Sequence, residues 1–157
     1  MMEKGISRVI LGIMLAVAAA GCGSTPQLRW KRDFDYCINA IMALPRPGGA
    51  VVEYGQFYAR CDDLAAVVSD TGYGADLLKD ILITHTNGTV RAGAAEVLGR
   101  MSDPGAARAC NTALEDSDPL ARELALKALK RITNEDHGTD RDAWLRSLEK
   151  EEDIDGR

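Results

Sequence analysis

The chain has 157 residues, 46% hydrophobic and 5% aromatic, and its 24 Asp and Glu outnumber 19 Lys and Arg for a formal net charge of −5. A chain of this size can bury one respectable core and is most simply a single domain. The acidic balance, with no block of five or more like charges, argues against nucleic acid and against a polybasic membrane patch, and so few aromatics leave little stacking platform.

The N-terminus falls into three parts. Lys4 and Arg8 outweigh Glu3, residues 9–20 are apolar, and Ala19, Ala20 and Gly21 lead into Cys22. That is the layout of a secretory signal. A membrane-spanning helix needs about 20 predominantly apolar residues, and the polar STPQLRWKRD comes too soon to supply them. The small residues suit a peptidase cleft that must hold an extended backbone. The segment resembles a bacterial lipoprotein signal, with Ala19 where that pattern prefers Leu. The resemblance implies removal of residues 1–21, a diacylglyceryl group on the sulfur of Cys22, and a short tether over residues 22–32. Acyl chains bind a membrane with about 0.8 kcal/mol per buried methylene. Gly23, rather than Asp, comes after the cysteine, which the resemblance associates with the outer membrane or periplasmic face rather than the cytoplasm. An ordinary signal cut and an uncleaved anchor are the alternatives to this reading.

Trp30, Phe34, Cys37, Ile38, Ile41 and Met42 mark an amphipathic helix ended by LPRPGG, and AVVEYGQFYARC begins another. Residues 33–58 are expected to cap the first face of the helices C-terminal to them. Tyr54, Phe57, Tyr58 and Tyr73 gather near this end, either as packing or as a contact patch.

Beyond this cap the chain repeats itself. VRAGAAEVLGRM (90–101) lies over ARELALKALKRI (121–132), with Arg91 on Arg122, Ala94 on Ala125, Leu98 on Leu129 and Arg100 on Arg131. The same offset places Gly74 on Gly105, Ile83 on Leu114 and Asn87 on Asp118. Each unit divides into two helices. Val90, Ala94, Val97, Leu98 and Met101 keep the spacing of one helical face. The SDPG at 102–105 then breaks the chain, a second helix covers about 105–115, and Asp118 is placed to cap the helix that Pro119 opens. Alternation of β-branched residues is missing, so no strand is expected.

The unit resembles a HEAT repeat of the short bacterial kind also found in the bilin-lyase-like group, on Asp118, Pro119, Ala121, Arg122, Ala125, Ala128, Leu129 and Ile132 and on Asn87, Val90, Arg91, Ala94, Leu98 and Met101. The resemblance implies an all-α, right-handed, armadillo-type solenoid of antiparallel helix pairs, with about three repeats (59–88, 89–118 and 119–150) behind the N-terminal capping helices. Residues 151–157 read as a disordered tail. Asn87 with Arg91, and Asp118 with Arg122, are expected to hydrogen-bond along the stack as a ladder that fixes its register. Trp144 in GTDRDAWLRSL is expected to close the last hydrophobic layer.

The chemistry-bearing residues are few. Cys110 sits among Ala106, Ala109, Ala113 and Leu114 as a small buried hydrophobe, while Cys37 and Cys61 are a possible disulfide in an oxidising envelope. His85 and His137 form no HExxH and no paired His-Glu steps, and NEDHGTD (134–140) lacks the alternating order of a calcium loop. The expectation is therefore no metal, no cofactor and no enzymatic activity.

Solenoids bind through extended faces, to which each repeat contributes a few side chains at fixed pitch. The resemblance puts the second helix of each unit on the concave side, where Asp76, Lys79 and Asp80 are succeeded by Arg108, Asn111, Thr112 and Glu115, and then by Arg141, Asp142 and Arg146. Of these, Arg108, Asn111, Thr112, Glu115, Asp142 and Arg146 are the candidate partner-binding residues. Their mixed signs suit a protein partner better than a polyanion. The function expected is a non-catalytic, lipid-anchored adaptor that binds an envelope protein, with a structural envelope protein or an accessory protein of an envelope enzyme as the alternatives.

Overall fold

The structure, a computed structural model, describes residues 26–44, 51–71 and 74–155, so Cys22, the signal segment before it and Tyr73 lie outside the described residues. Seven α-helices and no strand occur among the described residues: α1 (Pro26–Met42), α2 (Val51–Thr71), α3 (Gly74–Thr84), α4 (Gly88–Met101), α5 (Ala107–Thr112), α6 (Pro119–Thr133) and α7 (Arg141–Asp155). The architecture is an all-α solenoid of helix pairs. The first helices of the pairs form one row, α2–α4–α6, the second helices form another, α3–α5–α7, and α3 meets α4 and α5 meets α6 across the rows. Helix α1 covers the open side of α2 and also reaches α4.

Local chemistry sets the helix ends, and it recurs at the offset read in the sequence. Asn87 caps α4 by accepting from the Thr89 amide at 2.9 Å, and Asp118 caps α6 by accepting from the Leu120 amide at 2.9 Å, each satisfying a donor that has no partner within the helix. Pro119 fits the first turn of α6, where no amide hydrogen is needed. Ser102 ends α4 and Asn134 ends α6, both with left-handed backbone, at φ of 51° and 56°.

Four expectations about boundaries are corrected. Helix α1 starts at Pro26, within the stretch read as a tether, because proline is at home in a first turn. The boundary placed between cap and repeats at 58/59 falls inside α2, which has no proline to break it. The second helix expected as one piece over 105–115 is a 3-10 turn (Pro104–Ala106) capped by Asp103, then α5, then another 3-10 turn (Ala113–Glu115). Helix α7 runs on to Asp155 through residues read as a disordered tail, since Leu, Glu and Lys favour helix and no Gly or Pro interrupts 141–155.

Helix α4 is the centre of the molecule. Every residue from Gly88 to Gly99 is buried, so the single apolar face read from Val90, Ala94, Val97, Leu98 and Met101 understates its environment. The reason is size. At Gly99 a Cβ would lie 2.8 Å from both the Cα and the Cβ of Ala128 on α6, and at Gly93 it would lie 3.2 Å from Ile41 Cδ1 on α1. Glycine and alanine thus let neighbours close in on several sides at once.

Arg91 on α4 pairs with Asp116 in the turn before α6. Arg91 donates from Nε to Asp116 Oδ2 and from Nη2 to Oδ1, both at 2.6 Å, while its Nη1 donates to the carbonyls of His85 at 2.6 Å and Thr86 at 3.2 Å. The two side chains are 11% and 7% exposed, so solvent screens the pair little. This corrects the expected ladder. Asn87 and Asp118 are helix caps, and the carboxylate that grips Arg91 comes from position 116, which corresponds to His85 one repeat earlier.

Gly99→Leu should destabilise the fold by about 1–3 kcal/mol or more by forcing α4 and α6 apart, whereas Gly55→Ala, an exposed helical position with nothing within 4 Å of the new methyl, should stabilise by about 0.5–1 kcal/mol. Urea denaturation of both variants reads the contrast.

Burial pushes the Asp116 carboxyl up, but hydrogen bonds from Arg91 and the Asp118 amide outweigh it and hold the group below its ordinary value of 3.8. A depressed folded-state value means that its stabilisation is complete above about pH 4 and is lost as pH falls through that lower value. Asp116→Asn should therefore cost about 3 kcal/mol at neutral pH by leaving Arg91 without its ion-pair partner. The gap to wild type should close on acidification below about pH 4, as urea midpoints measured against pH will show.

Candidate interaction surface

The second-helix row presents the charged side chains expected to meet a partner, with one correction. Arg108, Thr112, Glu115, Asp142 and Arg146 are exposed, but Asn111 is 1% exposed. Its Nδ2 donates to the Arg141 backbone carbonyl at 3.4 Å, and its backbone carbonyl accepts from Arg141 Nε at 3.2 Å. Arg141 also bonds the Glu115 carboxylate, holding that group below its usual range. Asn111, Glu115 and Arg141 therefore fasten α7 to α5. Helical spacing places Asn111 with Arg108 and Thr112, and it could not show that α7 lies over one edge of that face.

One unit earlier the pattern is similar. Lys79 pairs with Asp76 at 2.7 Å and with Asp103 at 3.6 Å, tying α3 to the turn before α5, while Asp76 and Asp80 remain exposed. The exposed edge of the row thus runs from Asp76 and Asp80 on α3, through Arg108 and Thr112 on α5, to Asp142 and Arg146 on α7.

The first-helix row carries a charge network that sequence reasoning missed. Glu96, 2% exposed, accepts at Oε1 from Arg100 Nε at 2.7 Å and from Arg131 Nη1 at 3.1 Å. Arg100 continues to Asp62 on α2 and stands 5.8 Å from the centre of the Tyr58 ring. Arg100 and Arg131 match across the repeat, and an arginine kept at both positions was the available signal that they share a partner. Phe57 is fully buried and Tyr58 is partly buried against the core, which gives these two rings the packing role.

Trp144 is fully buried and donates from Nε1 to the Gly138 carbonyl at 2.9 Å, with the His137 ring edge-on at 4.7 Å. Beside it, Glu135 accepts from Ser147 and contacts His137 Nε2 at 2.7 Å, and these bonds, Ser147 first, hold its carboxyl below the usual range. Serine catalysis needs the histidine against the hydroxyl as a base. Here the carboxylate stands between them, so the trio clamps the 134–140 loop to α7.

Cys37, Cys61 and Cys110 are buried free thiols, so the disulfide considered for Cys37 and Cys61 is not made in this structure. Burial pushes the three thiols up to about 11, about 12 and about 12, far from the thiolate that exchange or nucleophilic attack requires. Among the described residues no group of three or more His, Cys, Asp or Glu is placed to hold a metal ion, and no helix is long and apolar enough to cross a membrane.

No curated protein and no solved structure matches the chain. The family model for HEAT repeats matches residues 75–153, which is half of the sequence and takes in α4 to α6 entire, with nearly all of α3 and α7. With its two rows of helices and the same caps and arginine-to-carbonyl bonds recurring from one unit to the next, the chain belongs to the HEAT-repeat family.

Proposed function

We propose that this protein is a non-catalytic, lipid-anchored HEAT-repeat adaptor that holds another protein at a membrane of the bacterial cell envelope. The observation that carries the adaptor reading is the second-helix row, where exposed charges of both signs on α3, α5 and α7 stand on helices fastened to one another by Lys79–Asp103 and by Asn111, Glu115 and Arg141. A surface held rigid in this way loses little side-chain and backbone freedom on binding, which favours recognition through a modest number of contacts. The reading as non-catalytic is supported by the three deeply protonated thiols and by the Ser147–Glu135–His137 order, neither of which supplies an activated nucleophile. The anchor is supported by the apolar run that ends in small residues before Cys22, together with the polar stretch after it.

Intact mass of the membrane-extracted protein, expressed with its native N-terminus, tests the anchor. A chain beginning at Cys22 with added acyl mass is expected, and an unmodified chain would remove the lipoprotein part of the proposal. For the adaptor, the triple variant Arg108→Glu, Thr112→Glu and Arg146→Glu should lose a protein that co-purifies with wild type from the envelope, while its unfolding free energy changes by no more than about 0.5 kcal/mol per site. Undiminished recovery of that protein would count against the row as a binding face.

A further inference from the structure

Arg91 and Arg122 occupy the same place in successive units, and half of their bonding is the same. Arg91 Nη1 donates to the carbonyls of His85 and Thr86, and Arg122 Nη1 donates to those of Asp116 at 2.7 Å and Ser117 at 3.3 Å, the matching positions one unit further on. The other half differs. The Nε and Nη2 of Arg91 grip the Asp116 carboxylate, whereas those of Arg122 make no hydrogen bond among the described residues and the side chain is exposed. At position 147, where the repeat offset places the counterpart of Asp116, the chain is still within α7.

Nor is a further stacked repeat the natural occupant. Helix α6 approaches α4 at Gly99, with Ala95 one turn earlier on α4, and the corresponding positions on α6 are Lys130 and Leu126. Leu126 packs against the core and Lys130 pairs with Asp136 at 2.7 Å, so that face carries larger and charged side chains where α4 offers Ala95 and Gly99 to α6. The guanidinium fork nevertheless remains, steadied by two carbonyls. Helix α6 carries Arg122, Lys127, Lys130 and Arg131 against Glu123 alone, a locally positive helix on an acidic chain. A planar guanidinium held in one orientation matches a carboxylate through two parallel hydrogen bonds.

We propose that Arg122 is a docking point for an aspartate or glutamate carried on a turn or extended segment of a partner protein, seated on Nε and Nη2 as Asp116 is seated on Arg91. The proposal rests on the reading of the chain as a partner-binding scaffold, but it uses side chains other than those of the second-helix row, so the two can fail separately.

The probe is a peptide with the sequence of residues 114–120, LEDSDPL, titrated into the full chain labelled with nitrogen-15 at its arginine side chains. The Arg122 Nε–H resonance should shift to saturation while that of Arg91, whose fork is filled, stays in place. A peptide with Asp116→Asn should bind at least tenfold more weakly, and Arg122→Lys, which keeps the charge but loses the fork, should bring the original peptide down to the same level. No saturable shift, equal binding of the two peptides, or undiminished binding by Arg122→Lys overturns the proposal. Two other occupants would show themselves without peptide and would equally overturn it: the chain's own residues 151–157, if deleting them moves the Arg122 resonance, and a second copy, if dilution does. Persistence of the co-purifying protein in the Arg108, Thr112 and Arg146 variant would defeat the second-helix row as the binding face and leave these peptide results standing.

Discussion

A helix covered on every side must be built from small residues, and the arrangement of this protein depends on that constraint at α4. Six of the positions from Gly88 to Gly99 are Gly or Ala, and the backbone of α6 comes so near Gly99 that even a methyl group would collide with Ala128. Close approach of backbones multiplies dispersion contacts without long side chains to order, so the helices associate over a thin layer at small entropic cost. Such surfaces are nearly smooth, however. Alanine and glycine fill space, but they offer few ridges to tell one register from the next.

Direction comes from the charges that α4 buries among those small residues. An ionised group in the interior must be paired, and its partner must come from a definite place. Arg91 finds Asp116 in the turn before α6 and also closes the carbonyls of the turn before its own helix, so one side chain locks two inter-unit turns together. Glu96 looks the other way, toward Arg100 on its own helix and Arg131 on α6, and Arg100 carries the connection on to α2. Sliding α6 by one helical position would break both sets, leaving at least two charged groups buried without compensation. The apolar contacts favour association, and the ion pairs select one geometry for it.

The period is visible in the sequence because caps and arginines repeat at one constant offset, and those are the atoms that recur in the structure: Asn87 and Asp118 cap α4 and α6, and Arg91 and Arg122 bond equivalent carbonyls. The concealed features lie where repeats differ. Asp116 stands opposite His85 and was invisible to a comparison that looked for likeness, although it supplies the carboxylate partner of Arg91. Asn111 shares helical spacing with exposed neighbours, and only the position of α7 explains its burial. The all-round burial of α4 was hidden because glycine and alanine carry too little apolar surface to draw a stripe. Helix ends at Pro26 and Asp155 were misplaced because polar composition reads as loop, while helix propensity and an absence of breakers permit helix all the same.

The 119–150 unit keeps the fold of the unit before it and changes what faces outward. Its first helix keeps the cap and the arginine but has Leu126 and Lys130 where α4 has Ala95 and Gly99, and its second helix is secured by Trp144, whose indole is buried and bonded to the Gly138 carbonyl. The same economy governs the second-helix row. Asn111, Glu115 and Arg141 hold α7, while Asp76 and Asp80 on α3, Arg108 and Thr112 on α5, and Asp142 and Arg146 on α7 stand exposed along the edge of the row. Acidic groups stand at the α3 end, Arg108 on α5, and Asp142 together with Arg146 on α7. Beneath them, Lys79–Asp103 and Arg141–Glu115 keep the spacing of the three helices constant.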